Sequence, residues 1–370
     1  MEAVKNKIIF DKNQSTALKG IAILLMMLHH NFRDVSLFED YTVSFFPFPQ
    51  WWIVNAADLS KICVSLFAFI TGYGLYLSYK KKAIAPGKWV LIRYIKTFSG
   101  YWLIWILSGV ITQLINGRFV KVYFKKDIWT GLLHMILDFA GVAKLFETST
   151  LNGTWWYMSA AFVFIVIMPL LVKCEKFWVV FILCNASVLR VYAYLKTDGS
   201  FNGEQIVWAF LTIYILGMVF AKYNLLERIV NADRKWIRFG AECILLAVSY
   251  KAYQAVDITR YWEVHYALIP MVAILFSVEF VMQIPGCRQI LLYLGKHSMN
   301  IFMVHTFIRH YYLKDFTYSW KHFLLIILVL LLISLAISIA IEWIKKVTKY
   351  DVYVDCLCNN ICINKTKKEN

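Results

Sequence analysis

Charge is scarce in this chain. Of its 370 residues only 17% are Asp, Glu, Lys or Arg, against about 25% in an ordinary soluble domain, so a water-soluble globule of this size is excluded. Acid is scarcer still: 23 Asp and Glu face 39 Lys and Arg, a formal charge of +16. In a soluble protein that excess would suggest nucleic acid as a partner. Here the basic residues flank apolar runs, so membrane topology accounts for them first and no nucleic acid is expected. Paired cysteines are missing too. The 8 present are scattered, several inside apolar runs (Cys63, Cys184, Cys243), with no CxxC pair, so no metal site is expected. Cys356, Cys358 and Cys362 read as free thiols of a cytoplasmic tail. With only 6 prolines, few helices look broken. There is no glycine-rich phosphate loop, repeat, heptad seam or appended soluble domain. No cleavable signal peptide is expected, because the first apolar stretch meets His29 and His30, lacks a small-residue cleavage site and leads into further spans.

What the chain does have is apolar length. Hydrophobic residues make up 60% of it, and several runs approach the ~20 residues that carry a helix across a ~30 Å hydrocarbon core. Runs such as Phe323 to Ile341 are apolar on every face, unlike the alternating strands of a barrel. The reading is therefore an all-α, polytopic integral membrane protein. Ten spans are expected, at 16 to 32, 62 to 79, 97 to 116, 155 to 173, 177 to 195, 205 to 221, 238 to 256, 262 to 282, 290 to 312 and 322 to 344. The stretch Ile128 to Ala143 is short and holds His134 and Asp138; it reads as interfacial or re-entrant. An inside N-terminus puts Lys5, Lys80, Lys81, Lys82, Arg93, Lys96, Lys365, Lys367 and Lys368 on the inner side. The outer side then takes Arg118, Lys196, Arg260 and Lys314. Counted over all loops, inner Lys and Arg outnumber outer ones roughly two to one, which makes both termini cytoplasmic. Residues 1–349 form the membrane domain and 350–370 a short cytoplasmic tail. Aromatic pairs at span ends, such as Trp51 with Trp52 and Tyr311 with Tyr312, suit interfacial belts.

Ionisable groups inside hydrocarbon are expensive and are site candidates by default. They are Lys19, His29, His30, Arg190, Glu242, Lys251, Glu279, Lys296, His297 and His305, of which Arg190, Lys251 and Lys296 lie near enough to span ends to snorkel. Lys19 and His30 are the most informative pair. Eleven residues at about 100° each overshoot three turns by about 20°, so both lie on one helix face, roughly 16 Å apart along the axis. His29 points about 100° away. By periodicity alone, a snorkelling lysine and a hydrogen-bonded core histidine account for the pair better than a site does.

The run Leu18-Lys19-Gly20-Ile21-Ala22-Ile23-Leu24-Leu25-Met26-Met27-Leu28-His29-His30 resembles the opening span of the membrane acyltransferase-3 family, whose signature is Arg, ten residues, then His. Three further stretches resemble it in order: Leu66-Phe67-Ala68-Phe69-Ile70-Thr71-Gly72-Tyr73, Asn152-Gly153-Thr154-Trp155-Trp156-Tyr157-Met158-Ser159, and Ser298-Met299-Asn300-Ile301-Phe302-Met303-Val304-His305. The resemblance implies transfer of an acyl group, usually acetyl, from cytoplasmic acyl-CoA to a hydroxyl of a surface polysaccharide or lipid-linked glycan, in a bacterial plasma membrane. No permanently bound cofactor is implied; acetyl-CoA is the donor substrate. The family histidine falls on His30 and its first-span arginine on Lys19. Its Arg-x-x-Arg falls on Arg93 and Lys96, three residues apart on one helix face. Two family arginines are thus lysines here, which keep the charge but lose the bidentate fork.

The inner basic residues around Arg93 and Lys96 then suit the polyanionic end of CoA, with the pantetheine arm passing Lys19 towards His30. A histidine of ordinary pKa ~6.5 is suited to take the proton of an attacking sugar hydroxyl. Asp34, four residues on, would orient His30 if the helix continues that far; otherwise it is a solvated loop carboxylate. Glu279 in span eight is a second candidate. His305 matches a late-span family histidine, with a site role and a packing role both open. Trp155 and Trp156 read as outer aromatics that stack on a sugar or anchor the interface, and Asn152-Gly153-Thr154 reads as a structural cap before a glycosylation acceptor. A transporter or flippase of lipid-linked oligosaccharide is the alternative. It would favour inverted repeats and broken spans, neither visible, and gives no reason for Lys19 and His30 with Arg93-x-x-Lys96. A glycan polymerase ranks last, since the loop from Gly117 to Thr154 has one Arg and one His.

Overall fold

The computed structural model describes residues 7–81, 84–195, 207–256 and 261–363. Lys5, Lys82, Lys196, Arg260, Lys365, Lys367 and Lys368, used above for orientation, lie outside the described residues, as does the start of the span expected from 205.

Helices dominate. In chain order they are α1 (Lys12–Phe32), α2 (Gln50–Leu59), α3 (Ile62–Lys81), α4 (Pro86–Asn116), α5 (Arg118–Tyr123), α6 (Ile128–Phe139), α7 (Trp156–Lys173), α8 (Trp178–Leu195), α9 (Leu211–Tyr223), α10 (Leu225–Val230), α11 (Lys235–Ala255), α12 (Ile269–Glu279), α13 (Cys287–Lys296), α14 (Ser298–Thr306), α15 (Lys314–Tyr318), α16 (Phe323–Val347) and α17 (Tyr350–Ile363). Among the described residues there is no strand, only an isolated bridge between Ser44 and His322. Among the described residues five helical stretches are long and apolar enough to cross a membrane: Gln50–Lys81, Pro86–Asn116, Gly153–Lys173, Val264–Gln283 and Phe323–Val347. The twelve residues of α6, at about 18 Å, are too short to cross.

Helix α3 begins at Ile62, where its span is expected to start, and is preceded by α2, which ends at a Ser60 cap whose hydroxyl donates to the Ala56 carbonyl. Two boundaries differ from the expectation. The stretch 290 to 312 is interrupted at His297 and closes in a π-helical turn, Phe307–Tyr312. That break contains no proline, so a low proline content did not report it. Residues 350–363, expected as tail, form α17.

The chain divides into two compact units. One holds the residues up to Ser78, Leu171–Ser298 and Asp315–Leu330; the other holds Tyr79–Leu170, Met299–Lys314 and the chain from Leu331.

In the first unit the helix backbones touch where glycine allows it. A Cβ on Gly20 would lie 2.1 Å from the Leu291 carbonyl oxygen, and one on Gly295 would lie 1.8 Å from that of Thr16. Reciprocal small residues of this kind let α1 and α13 approach without intervening side chains. Gly72 and Gly217 do the same for α3 and α9, against Tyr214 and Phe69. Asp11 caps α1 by accepting from the Gln14 amide at 2.8 Å. At its other end Phe32, Phe38, Phe45, Tyr318 and Phe323 form a buried aromatic cluster, and the Tyr318 hydroxyl donates to the Asn31 carbonyl at 3.0 Å.

The second unit is organised on α4, which Gly117 terminates in the left-handed conformation at φ 69°. α17 lies along the first half of α4. Cys358 is buried against Ile92 and Ile95, and the Tyr350 hydroxyl donates to the Ser99 carbonyl at 2.9 Å.

Candidate active site

In the first unit, α1 runs without interruption through Lys19 and His30, so the two share a face as their spacing requires. Both are partly buried. His29 is the core histidine: its ring is buried and Nδ1 donates to the Ala57 carbonyl at 2.9 Å. The His30 ring meets it edge-on, with centroids 5.1 Å apart.

Asp34 does not continue that face. The helix stops at Phe32, Asp34 is extended at φ −145° and ψ 139°, and its carboxylate accepts from the Ser36 amide at 2.8 Å. That hydrogen bond holds its carboxyl below the usual range. The helical spacing on which a pairing with His30 depended is therefore absent.

Glu279 closes α12 in a bidentate ion pair with Arg238 of α11. Nη2 donates to Oε1 at 2.7 Å, and Nε lies 3.0 Å from Oε1 and 3.3 Å from Oε2. The same guanidinium donates to the carbonyl of Val230, the last residue of α10, and to those of Ala232 and Asp233 beyond it. With its carboxylate almost wholly buried, Glu279 joins α12 to the start of α11, a structural clamp by geometry.

In the second unit, Arg93 and Lys96 sit on the first half of α4. Arg93 lies 5.9 Å from the centre of the Trp89 ring. Lys96 donates to Asp355 of α17 at 2.6 Å, so the C-terminal helix engages the second position of Arg-x-x-Lys.

His305 is fully buried. Its Nδ1 donates to the Phe302 carbonyl at 2.8 Å, which leaves Nε2 facing the Thr306 hydroxyl at 3.2 Å. Thr306 in turn is 3.2 Å from the Thr154 hydroxyl, which donates to Asn152 Oδ1 at 2.9 Å. Asn152 Nδ2 and Trp155 Nε1 both donate to the Met303 carbonyl, at 3.2 and 3.1 Å. The motif segments 152–159 and 298–305 are thus joined through one polar chain. Asn300, of the second segment, donates to Ser338 and Glu342 of α16.

Trp155 is consequently not a surface aromatic. It is 2% exposed and packs edge-on against Tyr101 and Phe307, because its indole N–H is spent on a backbone carbonyl inside the unit. Trp156 is half-buried, edge-on to Tyr157.

Sequence reasoning missed Asp138 as an organising group. Its buried carboxylate accepts from the Tyr123 hydroxyl at 2.5 Å, Trp105 Nε1 at 3.2 Å and the Leu151 amide at 3.0 Å, while Tyr101 donates to its carbonyl at 2.6 Å. The Leu151 bond fixes the residue that precedes Asn152. A lone acid on a largely apolar twelve-residue helix was the available signal.

The family model described as an acyltransferase domain, of the acyltransferase-3 type, matches residues 13–343. No curated relative and no solved structure matches the chain.

Proposed function

The chain belongs to the acyltransferase-3 family, and from that premise we propose that it is a membrane O-acyltransferase moving an acetyl group from cytoplasmic acetyl-CoA to a hydroxyl of a cell-surface polysaccharide or lipid-linked glycan. The family match over residues 13–343 carries the reading. Lys19 and His30 on one unbroken helix support it, as do Arg93 and Lys96 on one face of α4. Ten spans on the apolar runs, cytoplasmic termini on the distribution of Lys and Arg, and a bacterial plasma membrane on the family resemblance complete the reading.

In this chemistry the acceptor hydroxyl oxygen attacks the thioester carbonyl carbon and gives its proton to the His30 imidazole. The tetrahedral adduct then collapses, the carbon–sulfur bond breaks, and the CoA thiolate leaves as its thiol with the proton returned by His30. General-base help of this type contributes roughly 10²- to 10⁴-fold. Arg93 and Lys96 hold donor phosphates, with the charge but only half the bidentate capacity of two arginines. Asp34 accepts from the Ser36 amide and Glu279 from Arg238, which favours structural roles for both. Trp156 is the outer aromatic left for acceptor stacking.

The test uses membranes containing the wild type or His30→Ala, given radiolabelled acetyl-CoA, with label counted in an alkali-labile glycan fraction. Label that requires both the protein and His30 is expected; protein-independent label would end the assignment.

A further inference from the structure

Within the second unit, α16 brings a further cation to the face of α4 that carries Arg93 and Lys96. Residues 89, 93, 96 and 100 follow the spacing i, i+4, i+7, i+11 and fall within about 60° of arc. Trp89, Arg93, Lys96 and Gly100 therefore make one stripe along α4, about 16 Å long. Gly100 leaves the stripe open. A Cβ built there would meet Lys345 Nζ of α16 at 3.8 Å, and no other atom within 4 Å apart from Gly100's own helix neighbours. The ammonium of Lys345 thus stands against the stripe one helical turn beyond Lys96.

That ammonium is held in place. The Lys345 side chain is 13% exposed, whereas the next residue, Lys346, is exposed. Nζ donates to Glu342 Oε1 at 2.8 Å, and the same oxygen accepts from Asn300 Nδ2 at 2.8 Å. Asn300, itself buried, also donates to the buried Ser338 hydroxyl at 3.0 Å. A snorkelling lysine extends towards water; this one is fixed beside α4 by a polar chain that begins in the 298–305 motif segment. Glu342 takes one of the three N–H donors of the ammonium.

A second observation asks for an acceptor on the same stripe. Trp89 is 1% exposed, and its indole N–H has no hydrogen-bond partner among the described residues. A buried donor left unpaired is costly until a ligand or water completes it. The Arg93 guanidinium lies 5.9 Å from the centre of that ring. The carboxylates beside the stripe are Glu342 on Lys345 and Asp355 on Lys96, and neither is hydrogen-bonded to the indole.

We propose that Lys345 is a third cationic ligand for the donor phosphates, supplied by α16 and positioned by Asn300 through Glu342, a role that rests on the donor reading above. Coenzyme A carries a ribose phosphate as well as its diphosphate, so its anionic end calls for cations spread along a line. Arg93 to Gly100 covers about 10 Å of helix, and Lys345 extends the row at its far end. A point charge with donors to spare supplements the site where Lys96 lacks the bidentate fork of an arginine.

The test measures equilibrium binding of CoA to the full chain in phosphatidylcholine nanodiscs, together with thermal melts. Lys345→Gln is expected to raise the Kd roughly tenfold, and Lys345→Arg to keep most of the affinity. Removing the lysine leaves Glu342 without its cation, which can destabilise the fold by itself. The double variant Glu342→Gln with Lys345→Gln leaves no lone charge, should melt like the wild type and should still bind CoA roughly tenfold more weakly. Wild-type affinity in the double variant would overturn the role, because a lysine that served only Glu342 is dispensable once that carboxylate is gone. CoA binding weakened by Arg93→Gln and not by Lys345→Gln would overturn the role alone. A wild type that binds no CoA would overturn it together with the donor reading. Acetyl transfer is scored separately; its absence beside Lys345-dependent CoA binding would support the role and count against the transfer step alone.

Discussion

Lys96 Nζ and Asp355 Oδ1 are 2.6 Å apart, so the last described helix neutralises one of the two cations that the donor-binding proposal requires. Both side chains are substantially exposed, at 39% and 62%, and such a pair is worth at most about 1 kcal/mol. Asp355→Asn should therefore lower the KM for acetyl-CoA only two- to threefold or so, with kcat unchanged, and the gain should shrink as salt screens it. A KM unchanged at low salt would argue against a donor role for Lys96.

The neighbouring histidines of α1 separate chemistry from packing. His30→Ala should reduce transfer by roughly 10²-fold or more while the protein still accumulates in the membrane. His29→Ala removes the donor to the Ala57 carbonyl and should instead cost about 1–3 kcal/mol of stability. Activity and thermal melts of both variants, measured side by side, test the division; the reverse pattern would exchange their roles.

The α1–α13 contact tolerates no added carbon. A methyl at position 20 would meet the Leu291 carbonyl oxygen at 2.1 Å, backbone that cannot rotate away. Gly20→Ala should destabilise by about 1–3 kcal/mol or more, and Gly295→Ala, at 1.8 Å from Thr16, should behave alike. A melting temperature equal to that of the wild type in either variant would refute the packing.

Asp34 predicts a pH effect without a catalytic one. Its carboxyl is held below the usual range by the Ser36 amide. A depressed folded pKa contributes stability that is present above the unfolded value of about 3.9 and lost as pH falls through the folded one. Asp34→Ala should thus remove a small stabilising contribution at neutral pH, flatten the acid limb of the melting curve and leave transfer unchanged. A large loss of kcat would instead return Asp34 to the site.

The class of protein was legible because apolar length and sparse charge are one-dimensional properties, and the shared face of Lys19 and His30 follows from spacing alone. Partners distant in sequence were not. Nothing in the hydropathy of 152–159 specifies that Asn152 and Trp155 meet the Met303 carbonyl, or that Thr154 meets Thr306. Trp155 was misassigned to a surface for that reason: belt position and indole burial look alike until the acceptor of the N–H is known. Glu279 showed the same ambiguity, since a buried acid asks for a partner and only the fold supplied Arg238. The break at His297 carries no proline, and α17 has a charge pattern that suits a free tail as well as a docked helix.

The length of α4 has a consequence for the bilayer itself. From Thr97 to Asn116 it carries 20 residues without a single charge, which at 1.5 Å each make about 30 Å, close to the ~30 Å of an average hydrocarbon core. Such a match leaves the helix little reason to tilt. In a thinner membrane mismatch would force tilt or local thickening, moving Lys96 and Arg118 relative to their headgroup layers. Acyl-chain length of the host lipids is therefore a variable to which this protein should respond.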